Sequence, residues 1–125
     1  NANPTSLRAG VEVLASFGGR RVLVLGDMGE LGANAEQQHF EAGVSARARG
    51  IDALYALGPL SRAAAEGFGA GARHFDAIED LIAALKSQLD PHTTVLVKGS
   101  RSSRMERVSA ALTGLSKGGA HDTVS

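Results

Sequence analysis

Four basic side chains follow an apolar segment near the end of the chain. Residues 94–97, TVLV, are typical of a buried strand, and the cations after them are Lys98, Arg101, Arg104 and Arg107. Lys98 and Arg101, together with backbone N–H groups around Gly99 and Ser100, are suited to receiving a carboxylate or a phosphate. Arg104 and Arg107 fit a solvated basic face better. We therefore predict an anion site at Lys98, Ser100 and Arg101.

A second unusual segment is the glycine-rich stretch 26–32, GDMGELG, which also follows an apolar run. Its glycines do not form G-x-G-x-x-G or a Walker motif, so neither nucleotide fingerprint is present. The two acids, Asp27 and Glu30, suit a cation or an amine better than a bare pyrophosphate. A flexible glycine turn with solvated acids explains the stretch equally well, and the residues alone leave both interpretations open.

The other reactive residue types show no recognisable catalytic pattern. His39 lies on a predicted helix near Glu36 and Glu41, and we interpret it as a packing or surface residue. The remaining histidines lack metal-ligand spacing, and the serines lack a partner His-Asp pair. With no cysteine in the chain, a disulfide scaffold, a thiolate metal site and a cysteine nucleophile are excluded.

Length and charge limit the classes of protein further. A chain of 125 residues is predicted to form one domain with a real core. Its formal net charge of zero argues against bulk binding to nucleic acid or to a membrane surface. No apolar run reaches the roughly 18 residues of a membrane span. The chain starts at Asn1 without a methionine or a leader, so we expect a cytoplasmic piece of a longer protein.

The apolar segments predict a parallel sheet. Continuous apolar runs at 22–25, 53–57 and 94–97, with a weaker one at 72–75, suit strands that are covered on both faces. Helical patterns are predicted at 5–17, 34–49, 60–68, 76–89 and 103–115. A helix followed by four strand–helix units predicts an α/β fold: a Rossmann-like, three-layer domain with a mainly parallel sheet and helices on both faces. Strand order 3-2-1-4 would place the loops after strands 1 and 4 at the ligand-binding switch point.

Helix starts and chain ends give finer predictions. Asn34 is predicted to cap the second helix, and Asp76 with Glu79 to form a reciprocal cap on the fourth. Ser103 with Glu106 has the same form. The tail 116–125 is predicted to be disordered because it has little to bury.

Three motifs in order resemble the C-terminal domain of the Mur ligase family: NANPTSLRA, VLVLGDMGELG and VLVKGSRSSRMERV. The resemblance covers residues 1 to about 115. It implies a hinge remnant and first helix at 1–18, the Rossmann-like domain at 19–115 and the disordered tail at 116–125. The second and third motifs are most similar to the family member that adds D-Ala-D-Ala to UDP-N-acetylmuramoyl-tripeptide in peptidoglycan precursor synthesis.

The resemblance also implies roles for individual residues. Asn1, Asn3 and Asp27 would lie near ATP. The D-Ala-D-Ala group would be contacted by Lys98, Gly99, Ser100, Arg101 and Glu30. ATP and Mg²⁺ would be bound mainly by a central domain that this chain lacks, so catalytic and metal-ligating residues are expected outside it and the chain alone is expected to be inactive. The family reaction is an ATP-dependent amide ligation through an acyl phosphate, carried out by a cytoplasmic bacterial monomer.

Two alternatives are kept beside this interpretation. One is a related ATP-dependent amide ligase of the folylpolyglutamate synthase type. The KGSR stretch argues against this alternative, but only by resemblance. The other is a free-standing α/β module that binds a small anion without catalysis.

Overall fold

A computed structural model describes residues 3–29, 31–99, 105–113 and 120–121. The described helices are α1 Pro4–Ala15, α2 Ala35–Ala48, α3 Ser61–Phe68, α4 Ile78–Lys86 and α5 Glu106–Thr113. The strands are β1 Arg20–Gly26, β2 Ala53–Leu57, β3 Ala72–Phe75, β4 Thr93–Lys98 and β5 Ala120–His121, and a short 3-10 turn, Gly32–Asn34, precedes α2. In these residues, no helix is long and apolar enough to cross a membrane.

The strands form one parallel sheet in the order β3-β2-β1-β4-β5. The predicted order 3-2-1-4 is therefore confirmed, with β5 added beside β4. Gly26 at the end of β1 pairs with Leu57 of β2, and Leu25 pairs with Lys98 at the end of β4. The register thus brings the loops after β1 and β4 to neighbouring positions on one edge of the sheet.

Alternate side chains of the strands build two cores, one on each face of the sheet. Leu23 and Leu25 of β1 belong to a cluster with α1, α2 and α3, whereas Val22 and Val24 belong to a cluster with α4 and α5. Because both faces are covered, the central segments 22–25, 53–57 and 95–97 are apolar at every position rather than at alternate ones. The predicted three-layer α/β fold is confirmed.

Two glycines allow α2 and α3 to approach at the level of the backbone. A Cβ atom added at Gly43 would collide with the carbonyl oxygen of Ala64, and one added at Gly67 would collide with that of Phe40. This close crossing fixes the position of α3 against the helix that follows the β1 loop.

The helix caps differ in part from the predictions. Asn3 caps α1 in a reciprocal pair with Ser6, in which each side chain accepts a bond from the other's backbone N–H. Asn34 occupies the N-cap position of α2 but makes no side-chain cap bond, since a 3-10 turn precedes the helix there. Ser103 lies outside the described residues.

The predicted cap at Asp76 is wrong. The N-cap residue of α4 is Ala77, and no side-chain bond caps this helix. The Asp76 carboxylate lies 3.9 Å from Arg62 instead, and Glu79 accepts a bond of 3.1 Å from Arg107 of α5. The two acids are therefore directed toward neighbouring basic side chains rather than toward the helix start.

The prediction of disorder over 116–125 fails at two residues. Ala120 and His121 pair in parallel with Thr93 and Thr94 at the start of β4. The prediction relied on the absence of apolar side chains, but an edge strand can be held by backbone bonds alone. The other residues of this tail lie outside the described part of the chain.

Candidate functional site

Three segments converge on the carboxyl edge of the sheet. The carboxyl ends of β1 and β4 meet there because the two strands are parallel neighbours. The first helix ends beside the start of β1, where Arg21 Nη1 donates to the carbonyl oxygen of Ala15 over 2.8 Å. Earlier in the helix, Gly10 faces Lys98. Helix α1 therefore runs antiparallel to the strands, and its capped beginning at Asn3 lies toward the same edge.

Asp27, the first residue after β1, caps a helix far along the chain. Its Oδ1 accepts bonds of 2.8 Å from both the backbone N–H and the hydroxyl of Ser61, and its Oδ2 accepts one of 3.1 Å from the Leu60 N–H. A carboxylate at a helix start satisfies free N–H groups and complements the helix dipole. No side chain of α3 itself caps this helix at Leu60.

The neighbouring glycine turn is shaped to admit this carboxylate. Gly58, after β2, has a φ of 107°, and a Cβ atom there would lie 2.5 Å from Asp27 Oδ1. The carbonyl oxygen of Gly58 accepts a 2.7 Å bond from His74 Nε2 on β3. Hydrogen bonds and close packing thus join the carboxyl ends of β1, β2 and β3 to each other.

His39 holds the next residue of the β1 loop. Its imidazole is fully buried, its Nε2 accepts a 3.0 Å bond from the Met28 N–H, and its Nδ1 lies 2.7 Å from the carbonyl oxygen of Ala35. Because the Met28 N–H can only donate, Nε2 carries no proton, and the Nδ1–H donates to Ala35. The interpretation of His39 as a packing residue omitted these bonds. Its position one turn into the helix after the glycine loop was the available signal, since helical side chains lean toward the N-terminus.

Lys98 presents a different environment at the end of β4. The side chain is only 8% exposed, and burial lowers the pKa of its ammonium group. A Cβ atom at Gly10 would lie 3.0 Å from both the Cε of Lys98 and the Cδ2 of Leu96. The missing side chain at Gly10 therefore makes room for the lysine stem. An apolar cavity of about 230 Å³ borders Lys98 between α1 and β4, with Val13 and Phe17 in its lining.

The predicted site residues are only partly described. Lys98 and the buried Gly99 lie at the carboxyl edge with Asp27, and Asn3 lies at the start of α1. The predictions for four others concern residues outside the described part of the chain: Asn1, Glu30, Ser100 and Arg101.

The neighbouring basic residues of the β4 segment are also partly described. Arg104 lies outside the described residues. Arg107 is half-exposed, as expected, and bonded to Glu79. A backbone N–H bond and then Arg107 lower the pKa of the Glu79 carboxyl. Within the described residues, no three His, Asp or Glu side chains form a group that could hold a metal ion.

The fold and this edge define a Rossmann-like α/β domain in which β1 and β4 end side by side at the strand-order switch point. Residues 1–101 match the family model described as "Mur ligase, glutamate ligase domain". The chain belongs to the Mur ligase family and corresponds to its C-terminal domain.

Relatives with known names agree with this assignment. The chain is 46% identical over 114 residues to the UDP-N-acetylmuramoyl-tripeptide–D-alanyl-D-alanine ligase of Escherichia coli K12, a match covering 90% of this chain and 25% of the relative. The ligase of the same name from Treponema pallidum is 40% identical, with 90% and 26% covered.

Solved structures show the same domain. MurF from Acinetobacter baumannii superposes with a TM-score of 0.83 at 35% identity, covering 91% of this chain and 26% of that one. MurF from Thermotoga maritima in complex with ADP gives 0.80 at 26% identity, with the same coverage. The chain therefore spans about a quarter of the length of the proteins it matches.

Proposed function

We propose that this chain is the C-terminal domain of a MurF-type ligase, an ATP-dependent enzyme that joins D-Ala-D-Ala to UDP-N-acetylmuramoyl-tripeptide. The observation that carries the proposal is the buried Lys98 beside the β1 loop at the carboxyl edge. The names of the relatives, each about four times longer than this chain, supply the substrates. The whole enzyme would act in the bacterial cytoplasm as a monomer, in the synthesis of peptidoglycan precursors.

In this proposal the domain receives the acceptor dipeptide. Lys98 and Arg101, with the backbone N–H groups of Gly99 and Ser100, bind its carboxylate through charge-assisted hydrogen bonds. The β1 loop, through Glu30, orients its amine. The amine then displaces phosphate from the activated carboxylate of the tripeptide, and positioning of the two reactants supplies a large part of the rate.

The nucleotide would be bound mainly by domains outside this chain. ATP supplies the phosphoryl group that activates the tripeptide carboxylate, with Mg²⁺ held by those same domains. Asn1 and Asn3 are proposed to approach the nucleotide when the domains close. Asp27 is proposed to act near the nucleotide by holding the β1 loop in place, because both of its carboxylate oxygens already accept bonds from the start of α3.

The proposal is tested by the kinetics of Arg101→Ala in the full-length ligase that contains this domain. A charged hydrogen bond to a carboxylate contributes roughly 1.5–3 kcal/mol, so kcat/KM for D-Ala-D-Ala should fall roughly ten- to hundred-fold. Dependence on ATP, measured separately, should change little. Lys98→Ala belongs in the same series because Lys98 is the other candidate for the carboxylate.

Arg104→Ala is the matched control, since this arginine lies three residues further along the sequence and is predicted to be solvated. It should cost much less than Arg101→Ala. Equal weakening of ATP and dipeptide use by Arg101→Ala, or an unchanged dependence on dipeptide, would show that Arg101 does not anchor the carboxylate.

A further inference from the structure

We propose that His39 is a positioning residue that sets the conformation of the β1 loop and thereby the placement of the acceptor dipeptide. The dipeptide as substrate rests on the proposed function, whereas the role of His39 in holding the β1 loop does not. His39 lies on α2, outside the sheet edge, and acts through the backbone of Met28 rather than by touching the substrate.

The bond to Met28 is isolated from water. His39 and the Met28 side chain are both fully buried, and the bond between them is buried as well. A buried N–H group that loses its acceptor is destabilised far more than an exposed one, since water cannot replace the bond. The position of Met28 therefore depends on the imidazole, and the imidazole depends on Ala35 for its orientation.

Two consecutive residues of the loop are anchored on different helices. Asp27 is bonded to the start of α3, and Met28 is bonded to His39 of α2. The next residue, Gly29, is exposed, and Glu30 follows it. An error in the position of Met28 therefore displaces the loop that the proposed function assigns to the dipeptide amine. Misplacement of about 1 Å at such a group can reduce a rate a hundred-fold.

Two substitutions separate the two bonds of the imidazole. The amide group of glutamine reaches about as far as Nε2, so His39→Gln retains an acceptor for the Met28 N–H. Asparagine reaches about as far as Nδ1, so His39→Asn retains a donor for Ala35 but offers Met28 no acceptor. The pair therefore tests the contact to the loop while both variants keep a polar group on α2.

The first measurement is amide hydrogen exchange of Met28 in this 125-residue chain. His39→Asn should accelerate exchange roughly tenfold or more, and His39→Gln should stay near wild type. The second measurement is steady-state kinetics in the full-length ligase. His39→Asn should lower kcat/KM for the dipeptide roughly tenfold, chiefly through KM, with rescue by His39→Gln. Dipeptide-independent acyl-phosphate formation should fall much less, because Asp27 keeps its own bonds to the start of α3.

A third measurement needs no variant. The imidazole ¹⁵N chemical shifts of the wild-type chain should place the ring proton on Nδ1, and a proton on Nε2 would overturn the proposal. Equal behaviour of the Asn and Gln variants, or loss of acyl-phosphate formation together with ligation, would also overturn it by reducing His39 to a general packing residue. A wild-type ligase that does not use D-Ala-D-Ala would reject the proposed function instead, and exchange at Met28 would still decide whether His39 holds the loop.

Discussion

The β1 loop and the end of β4 lie side by side at the carboxyl edge of the sheet, but their polar groups have different surroundings. In the β1 loop, the Asp27 carboxylate and the Met28 N–H both have partners from other parts of the domain. At the end of β4, burial of Lys98 makes its charged form less favourable, as its lowered pKa shows. The β1 loop therefore contributes bonds that stabilise the fold, whereas Lys98 holds a charged group partly out of water at the end of β4.

This contrast distinguishes Asp27 from Lys98, two charged residues that the sequence alone marks as candidate site residues. A carboxylate whose two oxygens both accept bonds from the start of a helix is explained by architecture. A charged side chain that is held partly desolvated at the edge proposed to bind the dipeptide is better explained by substrate contact, because functional groups are often kept at some loss of stability. By this criterion Lys98 is the stronger candidate for substrate contact, and Asp27 the stronger candidate for support.

The largest expected effect is that of Asp27→Ala. Removal of a charged cap with three bonds should lower the free energy of unfolding by about 2 kcal/mol, as measured by urea denaturation. Asp76→Ala is the matched control, since Asp76 also precedes a helix but caps nothing. It should change stability by less than about 0.5 kcal/mol. Similar losses in the two variants would remove the distinction between the loops.

A smaller effect of opposite sign is expected for Lys98→Met. Methionine keeps the apolar stem without the desolvated charge, so the free energy of unfolding at neutral pH should rise modestly. Dipeptide use by the full ligase should fall. Lys86→Met, at an exposed position on α4, should change stability by only a few tenths of a kcal/mol. A Lys98→Met chain that is less stable than the wild type would show that the lysine charge does not lower the stability of the fold.

The advantage of Lys98→Met should also depend on pH. Burial lowers the folded-state pKa of Lys98 below the usual value of 10.5. Between these two pKa values the unfolded chain binds more protons, so wild-type stability rises with pH there. The advantage of methionine is therefore complete below the folded-state pKa and shrinks as pH approaches 10.5. Denaturation curves from pH 7 upward measure this difference.

The smallest effect on stability is expected for Gly10→Ala. Alanine is a better helix former than glycine by about 1 kcal/mol, but its Cβ would press on the stem of Lys98. The two effects should cancel to within about 0.5 kcal/mol in thermal unfolding, while the displaced ammonium lowers dipeptide use. The same substitution at Gly18, where a Cβ would meet nothing within 4 Å, is the control for activity. Unchanged dipeptide use by Gly10→Ala would show that the lysine position is not critical.

The strands were predictable because their burial leaves a local signature. Runs such as 22–25 and 95–97 are apolar at every position, and the alternation of strands with helical segments defines a parallel sheet. The predicted sheet order in turn indicated that Asp27, after β1, and Lys98, at the end of β4, would lie close together. These inferences use patterns within a few residues and general rules of chain topology, so one sequence is enough for them.

The details of the site depend on contacts that no local pattern encodes. Asp27 caps α3 from more than thirty residues away, whereas Asp76, which has the right spacing for a cap, is bonded elsewhere. His39 was recognisable as helical, but its acceptor role depends on how the glycine loop folds back over α2. The absence of a side chain at Gly10 likewise matters only because α1 packs against β4, where Gly10 faces Lys98.

The long-range cap on α3 also affects how the chain can fold. A helix of eight residues is too short to be stable alone, and its start is completed by Asp27, 34 residues earlier. The segment 61–68 should therefore remain unstructured in the nascent chain until β1 and β2 are paired and the carboxylate is in place. Formation of α3 then reports on long-range assembly of the sheet, so it belongs to the slow, cooperative part of folding rather than to its rapid local events.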